Sequence, residues 1–156
     1  MACRTRHLRL EDLHPLLLAL SKGWKPESIE LVEAALAQAR WVYRRYRGDC
    51  SERRRREAAQ LLVDLASLKP LGGASAALAA LAASIFLVLN REPLPPPHVL
   101  VDLATTACDE LDPEKTFEKL SRASSLRINP RNLLEALKAL ESNGYLQRLL
   151  AARCQG

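Results

Sequence analysis

A chain of 156 residues with 48% hydrophobic and 26% charged side chains has an ordinary globular composition and is long enough to bury a real core. Aromatics make up only 4%, so the core has to be built from Leu, Ala and Val, which favours packed helices and argues against a sheet. The net charge of +5, with a pI near 9.3, favours polyanionic partners.

Apolar periodicity predicts six or seven helices and no strand. The first spans about Arg9–Ser21, with Leu10, Leu13, Leu17 and Leu20 on one stripe and Pro15 inside it. Gly23 breaks the chain, and Trp24 is expected to staple onto the helix that follows. The second helix begins near Pro26 and is expected to reach Arg47. Its stripe is Ile29, Val32, Leu36, Ala39, Val42/Tyr43 and Tyr46, and Gly48 ends it. Asp49 followed by Glu52 resembles a capping box opening the third helix, whose stripe is Ala58, Leu61, Leu62, Leu65 and Leu68.

The fourth helix, about Ser75–Asn90, is apolar on nearly every side and must be surrounded by other helices. Its stretch Ala76–Leu89 is too short for a membrane: about 21 Å of helix against a hydrocarbon core of roughly 30 Å. No signal-peptide pattern is expected at the N-terminus, because the run Leu16–Leu20 is too short. A proline turn, Pro93 to Pro97, leads to a fifth helix at about His98–Leu111. A short helix at Lys115–Ser124 and a longer one from near Pro130 complete the chain.

The expected architecture is all-α: a compact bundle around the central apolar helix at 75–90, ending in a helix-turn-helix-like pair. Residues 1–111 are read as a helical core domain with a basic face. Residues 112–156 are read as a C-terminal subdomain packed on it.

The most uneven feature lies between Arg40 and Arg56. Eight arginines fall there (Arg40, Arg44, Arg45, Arg47, Arg53, Arg54, Arg55 and Arg56), with Trp41, Tyr43 and Tyr46 among them. Guanidinium groups neutralise phosphates, and rings offer faces on which bases stack. Arg53–Arg56 also occupy the first turns of the third helix, where cations oppose the helix dipole by some tenths of a kcal/mol each. Stability alone would place acids there. Tyr43 and Tyr46 fall on the apolar stripe and are expected in the core with wet hydroxyls. Trp41 lies off that stripe and is the candidate for stacking on an unpaired base.

The segment Thr116-Phe117-Glu118-Lys119-Leu120-Ser121 and the run Ile128–Leu146, which contains Asn129-Pro130-Arg131-Asn132-Leu133-Leu134-Glu135 and closes on Leu140-Glu141-Ser142-Asn143-Gly144-Tyr145-Leu146, resemble a winged helix-turn-helix. The resemblance implies that Asn129, Arg131, Asn132 and Lys138 lie on the helix offered to DNA. Residues 75–104, ending in Val101-Asp102-Leu103-Ala104, are similar to part of the cyclin-like repeat of the transcription factor B family. No site residue is transferred from that likeness.

The remaining polar residues carry little chemistry. His7, His14 and His98 are scattered and expected to be structural, and Asp109, Glu110 and Asp112 form a loop-facing acidic cluster. Cys3, Cys50, Cys108 and Cys154 contain no close pair of the kind zinc sites use. Reduced thiols are the leading expectation, with a disulfide between the terminal pair or an iron–sulfur site as alternatives. No nucleophile elbow, phosphate loop or dinucleotide fingerprint is present.

The sequence therefore reads as a cytoplasmic, non-enzymatic nucleic-acid-binding accessory protein with no cofactor, no metal and no membrane association. Its contacts would be mostly electrostatic and independent of sequence, with single strands slightly favoured. The rival readings are a helical scaffold subunit bound to other proteins of a nucleoprotein complex, of primase accessory or CRISPR small-subunit type, and a winged-helix transcription regulator.

Overall fold

Ser75–Leu89 carries no charged side chain, and every residue in it except Leu89 is buried. The rest of the molecule is arranged around this helix in the computed structural model, which describes residues 3–20, 25–122 and 126–155. Among the described residues there are eight α-helices and no strand. They are α1 (Leu10–Leu20), α2 (Pro26–Arg45), α3 (Cys50–Leu68), α4 (Ser75–Leu89), α5 (Pro97–Ala107), α6 (Pro113–Arg122), α7 (Leu133–Ser142) and α8 (Tyr145–Leu150), with a 3-10 turn at Gly72–Ala74 before α4. The all-α bundle expected from composition and periodicity is the fold observed.

Helix α4 packs against α1, α3, α5, α7 and α8, which is why it can be apolar all round. Its alanines let neighbours approach, and Leu78, Leu81, Ile85, Phe86 and Leu87 fill the space between them. The buried Ser84 hydroxyl is satisfied within the helix by donating to Ala80 O at 2.7 Å. Among the described residues, the one 18-residue window apolar enough to cross a bilayer, Gly72–Leu89, is this helix with the turn before it, mostly buried among its neighbours. Leu120, Ala136, Leu140, Tyr145, Leu149 and Ala152 join the same core from the C-terminal helices.

Helix ends follow their caps. Helix α2 stops at Arg45, two residues before the expected Arg47, because Tyr46 turns extended (ψ 134°) to lead into the next cap. Asp49 then accepts from Glu52 N at 2.7 Å, the capping contact read from the sequence. Leu68, expected on the buried stripe of α3, is 41% exposed at the last position of that helix. Helix α5 ends at Ala107 instead of Leu111, where Cys108 is tied elsewhere. Helix α6 starts at Pro113, with Lys115 N donating to Asp112 Oδ1 at 3.0 Å, and the expected end at Ser124 lies outside the described residues. Helix α7 begins at Leu133, later than Pro130, since Asn132 is its N-cap and accepts from Glu135 N at 2.9 Å. Gly144, at φ +76°, separates α7 from α8, so the longer helix expected from near Pro130 is two. Gly23 and Trp24 also lie outside the described residues.

The cysteines are corrected. Instead of reduced thiols they form two disulfides, Cys3–Cys50 and Cys108–Cys154, with Cα separations of 5.5 and 5.7 Å. Each joins positions nearly fifty residues apart, so sequence spacing carried no sign of the pairing. The first bridge pins the N-terminal segment to the start of α3. The second pins the C-terminus to the end of α5, and Cys154 N also donates to Gly73 O at 2.8 Å.

Candidate nucleic-acid interface

The fold divides the eight arginines of the cluster into a mostly exposed set on and just after α2 and a half-buried set on α3. Arg44, Arg45 and Arg47 are exposed at the end of α2, and Arg40 is half-buried one turn earlier. None of the four makes an ion pair among the described residues. Arg44 and Arg45 sit in the last turn of α2, where the negative end of the helix dipole favours cations, so local physics and surface charge agree here.

Three of the α3 set, Arg53, Arg54 and Arg56, are tied into the protein. Arg53 Nε donates to Tyr43 O at 3.0 Å, and its guanidinium lies 4.2 Å from the Tyr43 ring centroid. Arg54 donates to Thr5 Oγ1 at 3.1 Å and to Arg4 O at 2.6 Å, and pairs with the buried Glu92 at 3.3 Å. Arg56 pairs with Glu114 at 2.9 Å and Glu52 at 3.5 Å. Its guanidinium is sandwiched between Tyr46 and Phe117, at 4.1 and 3.9 Å from their centroids. Burial would lower the Arg56 pKa, but the contacts with Glu114, Tyr46 and Glu52 outweigh it and hold the value above the ordinary one. Arg55 is half-buried, and its Nε has no hydrogen-bond partner. The clash with the α3 dipole noted from the sequence thus has a structural counterpart. These arginines tie α3 to the N-terminal segment, to the corner after α4 and to α6.

Beneath Arg40 and Arg44 lies a buried polar cluster. Glu57 is 2% exposed; His7 Nδ1 lies 2.8 and 2.9 Å from its two oxygens and hydrogen-bonds Oε2 alone, so that Oε1 has no hydrogen-bond partner among the described residues. The His7 ring meets Tyr43 edge-on at 4.9 Å, and the Tyr43 hydroxyl shares a 2.7 Å hydrogen bond with Thr5. Burial raises the Glu57 pKa, and His7, Arg40 and Arg44 only partly counter it. Tyr43 is therefore a core residue, as its place on the stripe implied.

Tyr46 departs from that expectation. It is 38% exposed, because α2 has ended and the extended backbone swings its ring outward over Arg56. The consequence is a pocket of about 280 Å³ whose wall includes Trp41, Arg45, Tyr46, Arg56, Gln60 and Phe117. Trp41 is 51% exposed at its rim, with the Arg45 guanidinium 5.1 Å from the ring centroid. Three of the seven aromatic residues in the chain thus face one cavity, interleaved with two guanidinium groups. Phe117 was missed as a site residue. Its only sequence signal was the scarcity of aromatics, which makes any ring beside a surface arginine informative.

No family model matches the chain, and no curated protein or solved structure matches it. The interface therefore has to be read from its own chemistry.

The C-terminal candidates lie apart from this pocket's lining. Asn129, Arg131 and Asn132 precede α7 instead of lying on it, and all three are exposed. The Asn132 side chain is engaged as the cap, and Arg131 pairs with Glu135 at 3.4 Å. Lys138 is exposed on α7 itself. The chain after α7 continues as helix α8.

Proposed function

We propose that this protein is a non-enzymatic nucleic-acid-binding accessory subunit that prefers single strands, as the sequence suggested, with the contact surface redrawn. The phosphate contacts are assigned to Arg44, Arg45 and Arg47, with Arg40 at their edge, and base stacking is assigned to Trp41 and Tyr46. The observation that carries this reading is the half-exposed Trp41 on the rim of a cavity shared with Tyr46, Phe117 and Arg45. A large ring in water at a concave, cationic surface suits a flat apolar partner attached to negative charge, which describes an unpaired nucleotide. Stacking and phosphate contacts carry no base code, so binding is sequence-independent. The reading carries an intracellular location with it. The two disulfides persist only in a compartment that does not reduce them, so this location requires one.

The test is fluorescence anisotropy of labelled single-stranded DNA, RNA and duplex across a salt series. Tighter binding to single strands and a steep fall in affinity with salt are expected. Replacing Arg44, Arg45 and Arg47 together by Ala should flatten the salt slope by roughly 2, at about 0.7 per lost contact on a single strand. An isolated protein that binds none of the three at low salt, yet associates tightly with an acidic protein, would transfer the basic face to a scaffold role. A strong preference for one duplex sequence would favour a winged-helix regulator.

A further inference from the structure

Arg54 and Arg56 are two positions apart on α3 and so point about 200° apart around the helix axis. Arg56 forms part of the aromatic pocket, whereas Arg54 faces a second, larger cleft of about 630 Å³ on the other flank. This cleft lies between Arg4 and Arg6 of the N-terminal segment, the corner after α4 and residues 127–131 before α7. Six arginines line it (Arg4, Arg6, Arg54, Arg91, Arg127 and Arg131) against a single carboxylate, Glu92. Glu92 is buried and already committed to Arg54 and the Ser51 hydroxyl, so it does not neutralise the rim. The other five arginines are exposed. Arg6 and Arg131 each have one loose pairing at the surface, with Asp12 at 3.5 Å and Glu135 at 3.4 Å. Arg4, Arg91 and Arg127 make no ion pair among the described residues.

Convergence of charge from three separate segments is one observation. The backbone supplies a second. Helix α4 ends in a Schellman motif, with Glu92 N donating to Leu87 O at 2.9 Å and Arg91 N to Val88 O at 3.0 Å. The residue at the left-handed position of that motif is Arg91, at φ +59°, where glycine is the unstrained choice. A bulky cation held in a left-handed conformation gives up local stability at a site where, among the described residues, it makes no ion pair. Such strain is retained where the side chain has a use.

We propose that this cleft is a second nucleic-acid contact, a groove for the phosphodiester backbone that is blind to base sequence. The ligand is a linear polyanion because five exposed guanidinium groups line one cleft of about 630 Å³, more cationic groups than a lone phosphate can engage. The proposal rests on the nucleic-acid reading above but uses different residues, so the two can fail separately.

The experiment is titration of the isotopically labelled full chain with a single-stranded oligodeoxythymidylate at low salt, followed by amide and arginine side-chain NMR shifts. Shifts at Arg4, Arg91 and Arg127 alongside those at Trp41 and Arg45 support both surfaces. Shifts confined to Trp41 and its neighbours overturn the groove and leave the aromatic pocket standing. Shifts confined to the groove do the reverse, and no shift anywhere overturns both.

The paired variant Arg91→Gly/Arg127→Ala supplies the quantitative arm. Its salt slope should fall by roughly 1.4, from two lost contacts at about 0.7 each. Its thermal midpoint should be no lower than the parent's, because glycine relieves the left-handed residue. An unchanged slope in this folded variant overturns the groove.

Discussion

Removing the Cys3–Cys50 bridge is the perturbation whose size follows most directly from the fold. The bridge joins residues 47 apart in sequence, and Cys108–Cys154 joins residues 46 apart. Closing a loop of that length lowers the unfolded chain's entropy by about 14 cal/mol/K, which is about 4 kcal/mol of stability at 25 °C for each bridge. The two loops share no residues, so their contributions should add. For a chain of this size each bridge is then worth roughly 8–16 °C in Tm, at about 2–4 °C per kcal/mol. The perturbations are Cys3→Ser/Cys50→Ser, Cys108→Ser/Cys154→Ser, all four together, and reduction of the parent. Urea and thermal unfolding of each should show two similar losses and a combined loss near their sum. That sum, about 8 kcal/mol, is of the same order as the total stability of a domain. Non-reducing peptide maps should show both links. A parent whose unfolding midpoint is the same with and without reductant, or a map lacking the 3–50 and 108–154 links, would refute the reasoning.

Other perturbations have equally definite signs. Arg54→Ala strands Glu92 in a buried position and frees the N-terminal segment, so a loss of about 3–5 kcal/mol in chemical denaturation is expected. Leu81→Ala removes a fully buried side chain at the centre of the bundle and should reduce stability by about 2–5 kcal/mol without altering nucleic-acid contacts. Burial raises the pKa of both Glu57 and Asp64. Their protonated forms therefore favour the folded state, a contribution complete below the ordinary carboxylate pKa and lost as pH rises through the raised folded values. Glu57→Gln should accordingly flatten the decline of the urea midpoint as pH rises above the ordinary carboxylate range, and a variant declining as steeply as the parent would contradict the burial argument.

Much of the fold was legible because it rests on local rules. The uncharged run at Ser75–Leu89 could only be a surrounded helix, and Asp49 with Glu52 marked the start of α3. Periodicity located α1 to α7, while it merged α8 into α7 and the ends shifted wherever a cap or bridge intervened, as at Asn132 and Cys108. The candidate site was legible only in part. That Arg40–Arg56 is unusual is plain from the residues. That Arg54 and Arg56 are tied to Glu92 and Glu114 depends on contacts 38 and 58 positions away. Tyr46 was assigned to the core by a stripe that continued on paper past the real end of α2. The second basic cleft had no local signature at all, since Arg4, Arg91 and Arg127 come to line one cleft where Arg6 pairs with Asn90 and Leu94 with Leu126, contacts between segments distant in sequence.

The most direct measurement compares Trp41→Ala with the parent on single-stranded and duplex DNA of the same sequence, at one salt concentration. Loss of one stacked base is worth about 1–3 kcal/mol. The account predicts single-strand binding weakened by roughly five- to 150-fold, with duplex binding nearly unchanged. Equal losses on both ligands, or none on either, would contradict the claim that this ring is the protein's contact with an unpaired base.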